Sequence, residues 1–367
     1  MTIIASHRST RSGSLLAVLA AGITFAGLLA LPTEANAADC ASSRALGVAR
    51  TVDIDTTGGP RYGHQQYKDI DFLKPKEIVL TFDDGPLRRN TRAVLDALAA
   101  HCTQATFFMV GRQAVADPDM VKEVAKRGHS LALHTWSHMN LGAQRTDRAV
   151  AEIELGLSAV KVAAGDARVL PFFRFPYLSD PKRMMSYLKA RDVGMFSIDV
   201  DSYDYRTSSG AEVHRKIMSQ LEARGQRGIL LFHDIQGSTA RGLRPLLDDL
   251  AARGYKVVHL TSKSTAKSLP EYDDEAKRLL EKRNYMAASK PLATRSFTWQ
   301  MPAPGADDDI VERVAKRRAE GRQTAQAAPQ PASVATSSPP AAVTPPPPTQ
   351  TARPLETPDW RKAIFER

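Results

Sequence analysis

The sequence predicts an α/β fold in which about seven parallel strands form a (β/α) barrel, on three observations. Between residues 77 and 260, short apolar runs alternate with amphipathic ones. The runs are β-branched or aromatic and lack polar alternation, as strands covered on both faces should. Polar groups capable of chemistry follow one run after another, which is where barrel sites sit. The alternation alone suits an open sheet equally well. The placing of the polar groups favours the barrel.

Residues 38–76 read as a polar, irregular N-terminal extension, with turn signals at Gly58-Gly59-Pro60 and Lys74-Pro75. Strands are expected at 77–82, 105–110, 130–133, 169–175, 193–198, 228–232 and 255–260. Helices fill the intervals. The first, 91–101, aligns Val94, Leu95 and Leu98, and the second, 120–127, follows the start signal Asp117-Pro118. Others are expected at 148–164, 181–191, 211–224 and 243–253. Crossover helices of this length impose parallel pairing. Past 260, residues 271–284 read as a charged surface helix, while 285–302 are irregular but carry Phe297 and Trp299 and are expected to pack on the domain. The principal domain is therefore read as 77–302. Residues 303–367 read as a disordered tail, rich in Pro, Ala, Ser, Thr and Gln, that ends in one short helix capped by Thr357-Pro358.

The 367 residues suffice for one large domain or two ordinary ones, and 43% hydrophobic with 25% charged residues is ordinary globular composition. Residues 1–37 have the form of an export leader. His7, Arg8 and Arg11 precede an apolar run at 15–31, and Ala35-Asn36-Ala37 gives a small-x-small cleavage site. An exported protein, periplasmic or secreted, is expected; an uncleaved anchor is the alternative. No membrane span is expected once the leader is removed. Cys40 and Cys102 are the two cysteines, and an even count in an exported chain suggests a disulfide, with two unpaired thiols as the alternative. The net charge of +10 is scattered, and no pattern for nucleic-acid binding is present. It fits attraction to anionic envelope polymers, or simply a soluble protein of high isoelectric point.

Asp83 and Asp84 end the first run, in Thr81-Phe82-Asp83-Asp84-Gly85-Pro86. On a strand they would point to opposite faces, but at a strand-to-loop transition both can turn to one pocket. One could then bind a metal while the other takes a proton from water. His134 and His138 are spaced to ligate together from one helical turn or a tight loop. Arg174 could pair with a buried carboxylate, and Pro176 stiffens a turn that could offer the Tyr177 backbone N–H to a developing oxyanion. Asp199, Asp201 and Asp204 cluster after the next run. His233 leaves an apolar run and, paired with a carboxylate, could protonate a leaving amine. His64, His101, His129, His214 and His259 read as structural.

With these motifs in this order, residues 77–260 resemble the polysaccharide deacetylase family, also called carbohydrate esterase family four, which includes chitooligosaccharide deacetylases. The resemblance implies a distorted (β/α) barrel and a divalent metal, zinc first, with cobalt or nickel as alternatives. It makes Asp84, His134 and His138 the ligands, Asp83 the base paired with Arg174, and His233 the acid tuned by Asp204. The Tyr177 backbone would meet the oxyanion, and Tyr205, Leu231 and Pro176 would line the substrate side. Where the family usually has tryptophan after the fourth-motif aspartate, this chain has Tyr205. The implied activity is removal of N-acetyl groups from a GlcNAc-containing glycan: peptidoglycan, a chitin oligomer or an exopolysaccharide. An O-acetyl xylan esterase, a cyclic-amide hydrolase and a non-catalytic glycan-binding protein are the alternatives.

Overall fold

Every strand ladder is parallel, as the crossover spacing requires. The computed structural model describes residues 45–68, 70–289 and 308–327. Two short strands come first, β1 (Arg50–Asp53) and β2 (Arg61–Tyr62). The repeating part begins with β3 (Glu77–Asp83), α1 (Arg88–Ala100), β4 (Thr106–Met109), α2 (Gly111–Ala116) and α3 (Pro118–Lys126). It continues with β5 (Ser130–Leu133), α4 (Thr146–Ala164), β6 (Val169–Phe173), α5 (Lys182–Ala190), β7 (Gly194–Phe196) and β8 (Val200–Asp201). After α6 (Gly210–Ala223), β9 (Gly228–His233), α7 (Gly237–Ala252) and β10 (Lys256–Thr261) come α8 (Pro270–Ser289) and α9 (Asp308–Ala327).

The sheet runs β8-β9-β3-β4-β5-β6-β7-β2, with β10 joining the start of β3 and β1 pairing with β10. This is the strand order of the expected barrel. Among the described residues no ladder joins β7 to β8, which are separated only by Ser197, Ile198 and Asp199.

Side chains alternate between the two faces of each strand. Ile78, Leu80 and Phe82 of β3, with Leu230 and Phe232 of β9, pack under the helices against Val94, Leu98 and Leu246. Val79, Phe108, Ala132, Phe172, Phe196 and Ile229 fill the opposite face. Continuing that second set by two residues per step reaches Asp83, His134, Arg174 and His233. The same alternation that builds the inner core thus delivers the polar groups to its C-terminal rim. The β5–β6 ladder jumps from Leu131↔Val169 to Leu133↔Phe173, with Pro171 inside the longer segment. A proline cannot donate to a ladder, and such a bulge re-aims the residues after it, here Arg174.

Three expectations need adjustment. The N-terminal extension is not wholly irregular, since β1 and β2 lie within it and join the sheet. They are too short for a periodic signal. The domain's sheet therefore begins before residue 77. Residues expected in the disordered tail instead form α9, which seats Val311 and Val314 in a cluster with Tyr272 and Ala276 of α8. Its sequence is Ala- and Arg-rich and free of proline, so helix propensity supports it. The leader, Cys40, Phe297, Trp299 and residues 328–367 lie outside the described residues.

Candidate active site

Asp83 closes β3 facing inward, and Asp84 turns into the same pocket because its backbone is left-handed (φ +76°). A non-glycine residue in that region is strained by roughly 1–3 kcal/mol, and such strain clusters at functional sites. Gly85 follows for a steric reason. A Cβ there would lie 2.2 Å from a carboxylate oxygen of Asp234.

His134 comes directly after β5, and His138 sits at the end of a tight loop rather than a helical turn. Thr135 (φ +63°) and His138 (φ +61°) are both left-handed. Helix α4 holds the loop. Glu152 accepts from Ser137 N–H at 2.9 Å and Ser137 Oγ at 2.6 Å, and its carbonyl accepts from Trp136 N–H at 2.8 Å. Gly156 lets α4 approach, since a Cβ there would lie 2.4 Å from the Thr135 carbonyl carbon.

The ligand atoms of Asp84, His134 and His138 all fall within 4.8 Å of one another. His134 Nδ1 is bonded to the Arg174 carbonyl at 2.7 Å, which leaves Nε2 facing Asp84 Oδ1 at 3.5 Å. His138 Nε2 is 3.2 Å from the same oxygen. That oxygen is buried and has no hydrogen-bond partner. An orphaned carboxylate oxygen between two imidazole nitrogens fits a cation such as zinc. Burial holds the His134 imidazole down to about 3, and it also lowers His138, so both stay neutral as ligands must. Burial would raise Asp84, but the surrounding histidines outweigh it and its carboxyl lies below the ordinary range.

Arg174 is fully buried and has four partners. Nη1 donates to Asp83 Oδ1 at 2.7 Å and to Thr81 Oγ1 at 2.8 Å; Nε and Nη2 donate to the carbonyls of Phe196 and Ser197. It also lies over the Phe108 ring. Burial pushes Asp83 up against the pull of Arg174, to about 6. Asp83 Oδ2 is left facing His134 Nε2 at 3.8 Å.

His233 pairs in register with Asp83 across β9 and β3. Asp204 accepts from its backbone N–H at 2.7 Å and lies 2.7 Å from its Nδ1. Ser238 and Thr239 at the start of α7 bond to Asp204 in turn. Burial works against a charge on His233, but Asp204 outweighs it, with Asp84 and Asp83 adding, and the imidazole is raised to about 10. Of the three clustered aspartates, Asp204 is thus the one beside His233. Asp199 bonds His64 and Ile229 N–H, and Asp201 accepts from Tyr203 N–H.

Two exposed tyrosines flank the opening. Tyr177, in a left-handed turn after Pro176, sets its ring edge-on to His138, and Tyr205 stands edge-on to His233. Leu231 lies inward, two residues before His233, and is nearly buried. Cys102 follows α1, while Cys40 is outside the described residues. The other histidines have structural surroundings: His259 meets Ser130 Oγ, His129 accepts from Ala105 N–H, and His214 and His101 meet Asp249 and Asp248.

Sequence reasoning missed Glu152, Thr81 and Asp234. The signal for Glu152 was present, because α4 is apolar nearly all round yet carries two acids in its middle, Glu152 and Glu154, and a buried acid must be paired.

Fold and site together define an α/β protein with two histidines and one aspartate at the strand C-termini that could hold a metal ion. A family model for polysaccharide deacetylases matches residues 72–195. That stretch contains Asp83 through Tyr177, whereas Asp204 and His233 lie beyond it. The peptidoglycan-N-acetylglucosamine deacetylase of Listeria monocytogenes is 32% identical over 217 residues, 57% of this chain and 44% of that protein. The peptidoglycan-N-acetylmuramic acid deacetylase of Bacillus subtilis is 28% identical over 196 residues, 53% of this chain and 40% of that protein. The chain therefore spans less than half the length of these curated relatives. Among solved structures, a Bdellovibrio bacteriovorus peptidoglycan deacetylase matches with a TM-score of 0.55 and 33% identity, over 62% of this chain and 63% of that one.

Proposed function

We propose that this chain is a hydrolase that removes N-acetyl groups from a GlcNAc-containing glycan of the cell envelope. One observation carries the reading. A carboxylate with a raised pKa, Asp83, and an imidazolium held charged by Asp204, His233, occupy paired register positions beside the Asp84–His134–His138 cluster. A binding protein has no use for both proton-transfer groups.

A divalent ion held by Asp84, His134 and His138 would act as a Lewis acid on the acetyl carbonyl. Asp83 Oδ2 takes the proton of the attacking water while Arg174 holds Oδ1 and fixes the rotamer. As the new C–O bond forms, the carbonyl oxygen gains charge and meets the Tyr177 backbone N–H. The C–N bond then breaks, and His233 gives its Nε2 proton to the departing amine. Acetate and a free amino sugar result. Tyr205, Leu231 and Pro176 bound the space for the acetyl group.

The leader-like N-terminus and the wall-directed relatives support export to the periplasm or beyond. No helix among the described residues is long and apolar enough to cross a membrane.

The test is acetate release by residues 38–367, stripped with chelator and reloaded with zinc, cobalt or nickel. Chitooligosaccharides, peptidoglycan and acetylated xylan would be offered side by side. Metal-dependent release from a GlcNAc polymer is expected. Release from xylan alone, or from none of them with metal bound stoichiometrically, would overturn the reading.

A further inference from the structure

A basic, aromatic surface lies beside the candidate site and leads to a shallow groove along α6. It begins at Tyr205, whose ring stands on His233 with 5.6 Å between centroids. Arg206 lies over both Tyr205 and Tyr203, at 5.4 and 5.3 Å from their ring centres, and Lys216 lies 5.5 Å from the centre of Tyr203. Beyond Tyr203 a hollow of about 470 Å³ is lined by Tyr203, Arg215, Lys216, Ser219, Gln220 and Arg224. Arg215 lies in α6 and Arg224 directly follows its end, nine residues on, so their backbones are about 14 Å apart along the axis.

The charge in this groove is mostly uncompensated. Arg206, Arg215 and Arg224 are exposed and form no ion pair among the described residues. Lys216 is tied to Glu212 at 2.8 Å, and Glu212 also accepts from Thr207. Asp201 lies behind Tyr203, accepting its backbone N–H. Gln220 is fixed by two bonds to the Asp201 backbone, so the floor is rigid. Aromatic faces that stack sugars, beside unpaired guanidinium groups that take carboxylates, suit an acidic glycan and not a neutral one.

We propose that the α6 groove is a subsite for carboxylates on the sugar units next to the one that loses its acetyl group, which makes the preferred substrate an acidic glycan strand. This rests on the deacetylase reading above. Peptidoglycan strands that keep their lactyl and peptide carboxylates have this chemistry, and chitin does not.

The experiment uses residues 38–367 with metal loaded, and one preparation of soluble peptidoglycan strands divided in two. One half is left charged; in the other the carboxylates are converted to neutral amides. Binding is read by calorimetry and acetate release is followed in parallel. The charged strands should bind about tenfold tighter at low salt, and the preference should fade as salt rises. In Arg215→Gln with Arg224→Gln, and more so in Arg215→Glu with Arg224→Glu, the preference should vanish through KM with kcat held. Equal binding of the two strands by the unsubstituted protein would overturn the subsite. So would variants that lose both strands equally. Absence of acetate release with the charge preference intact would count against the deacetylase reading and leave the groove standing.

Discussion

Arg174 Nη1 lies 2.7 Å from Asp83 Oδ1 with both side chains almost wholly excluded from solvent. The arginine fixes one carboxylate oxygen and leaves the other facing the Asp84–His134–His138 cluster. Burial raises the Asp83 pKa further than Arg174 lowers it, so the group is more basic than a surface aspartate. Asp83→Asn keeps the shape and the contact with Arg174 but cannot take up a proton. Acetate release should fall about 10²–10⁴-fold while metal stoichiometry is unchanged. Retained activity, with bound metal measured on the same sample, would remove Asp83 from the base role.

The two proton-transfer groups fix the pH dependence. Asp83 must be ionised, and with its pKa at about 6 that form grows as pH rises through 6. His233 must be protonated, and with its pKa at about 10 that form is lost only as pH passes 10. Activity on a soluble oligosaccharide should therefore rise on the acid side near 6 and fall on the alkaline side near 10. Asp204→Asn removes the charge that raises His233, so the alkaline limb should move to lower pH while the acid limb stays. An alkaline limb that does not respond to Asp204→Asn would separate it from His233.

The sequence was most legible where strands are buried on both faces. There an apolar run is itself the signal, and all seven expected runs are strands. Strands β1, β2 and β8 are short, and β1 is half exposed, so no run marks them. Helix α9 was hidden because its residues are mostly charged or polar and the cluster it joins takes in few of its side chains. Asp83, Asp84, His134, His138, Arg174 and His233 were legible because each ends or follows a strand. The residues alone did not choose among Asp199, Asp201 and Asp204; the family resemblance pointed to Asp204, and the fold places that carboxylate on His233. Glu152 acts from a helix, away from any motif.

Helix α9 offers a test of packing. Val311 is fully buried in the cluster that also holds Tyr272 and Trp136. Val311→Asp would bury a carboxylate there and should destabilise the protein by about 1–3 kcal/mol. Thermal melting reads the loss, and limited proteolysis should cut between 290 and 327 sooner. An unchanged melt would mean that α9 contributes nothing to stability.

Glu152 and Gly156 make the last prediction, because both act on the histidine loop from α4 without touching the site. Glu152 takes two hydrogen bonds from Ser137, beside His138. Glu152→Gln can still accept from the Ser137 N–H and donate to Ser137 Oγ, but it removes the negative charge that strengthens both bonds. The loop should loosen, and zinc affinity, read by chelator competition, should fall about 10–100-fold, as when outer partners of ligating histidines are removed. Gly156→Ala forces a methyl group against the Thr135 backbone, so it should cost about 1–3 kcal/mol and displace the same loop. The two changes differ in kind, one electrostatic and one steric, yet both should weaken metal binding, whereas Asp83→Asn should not. If Glu152→Gln melts like the parent and binds zinc equally well, the loop does not depend on α4.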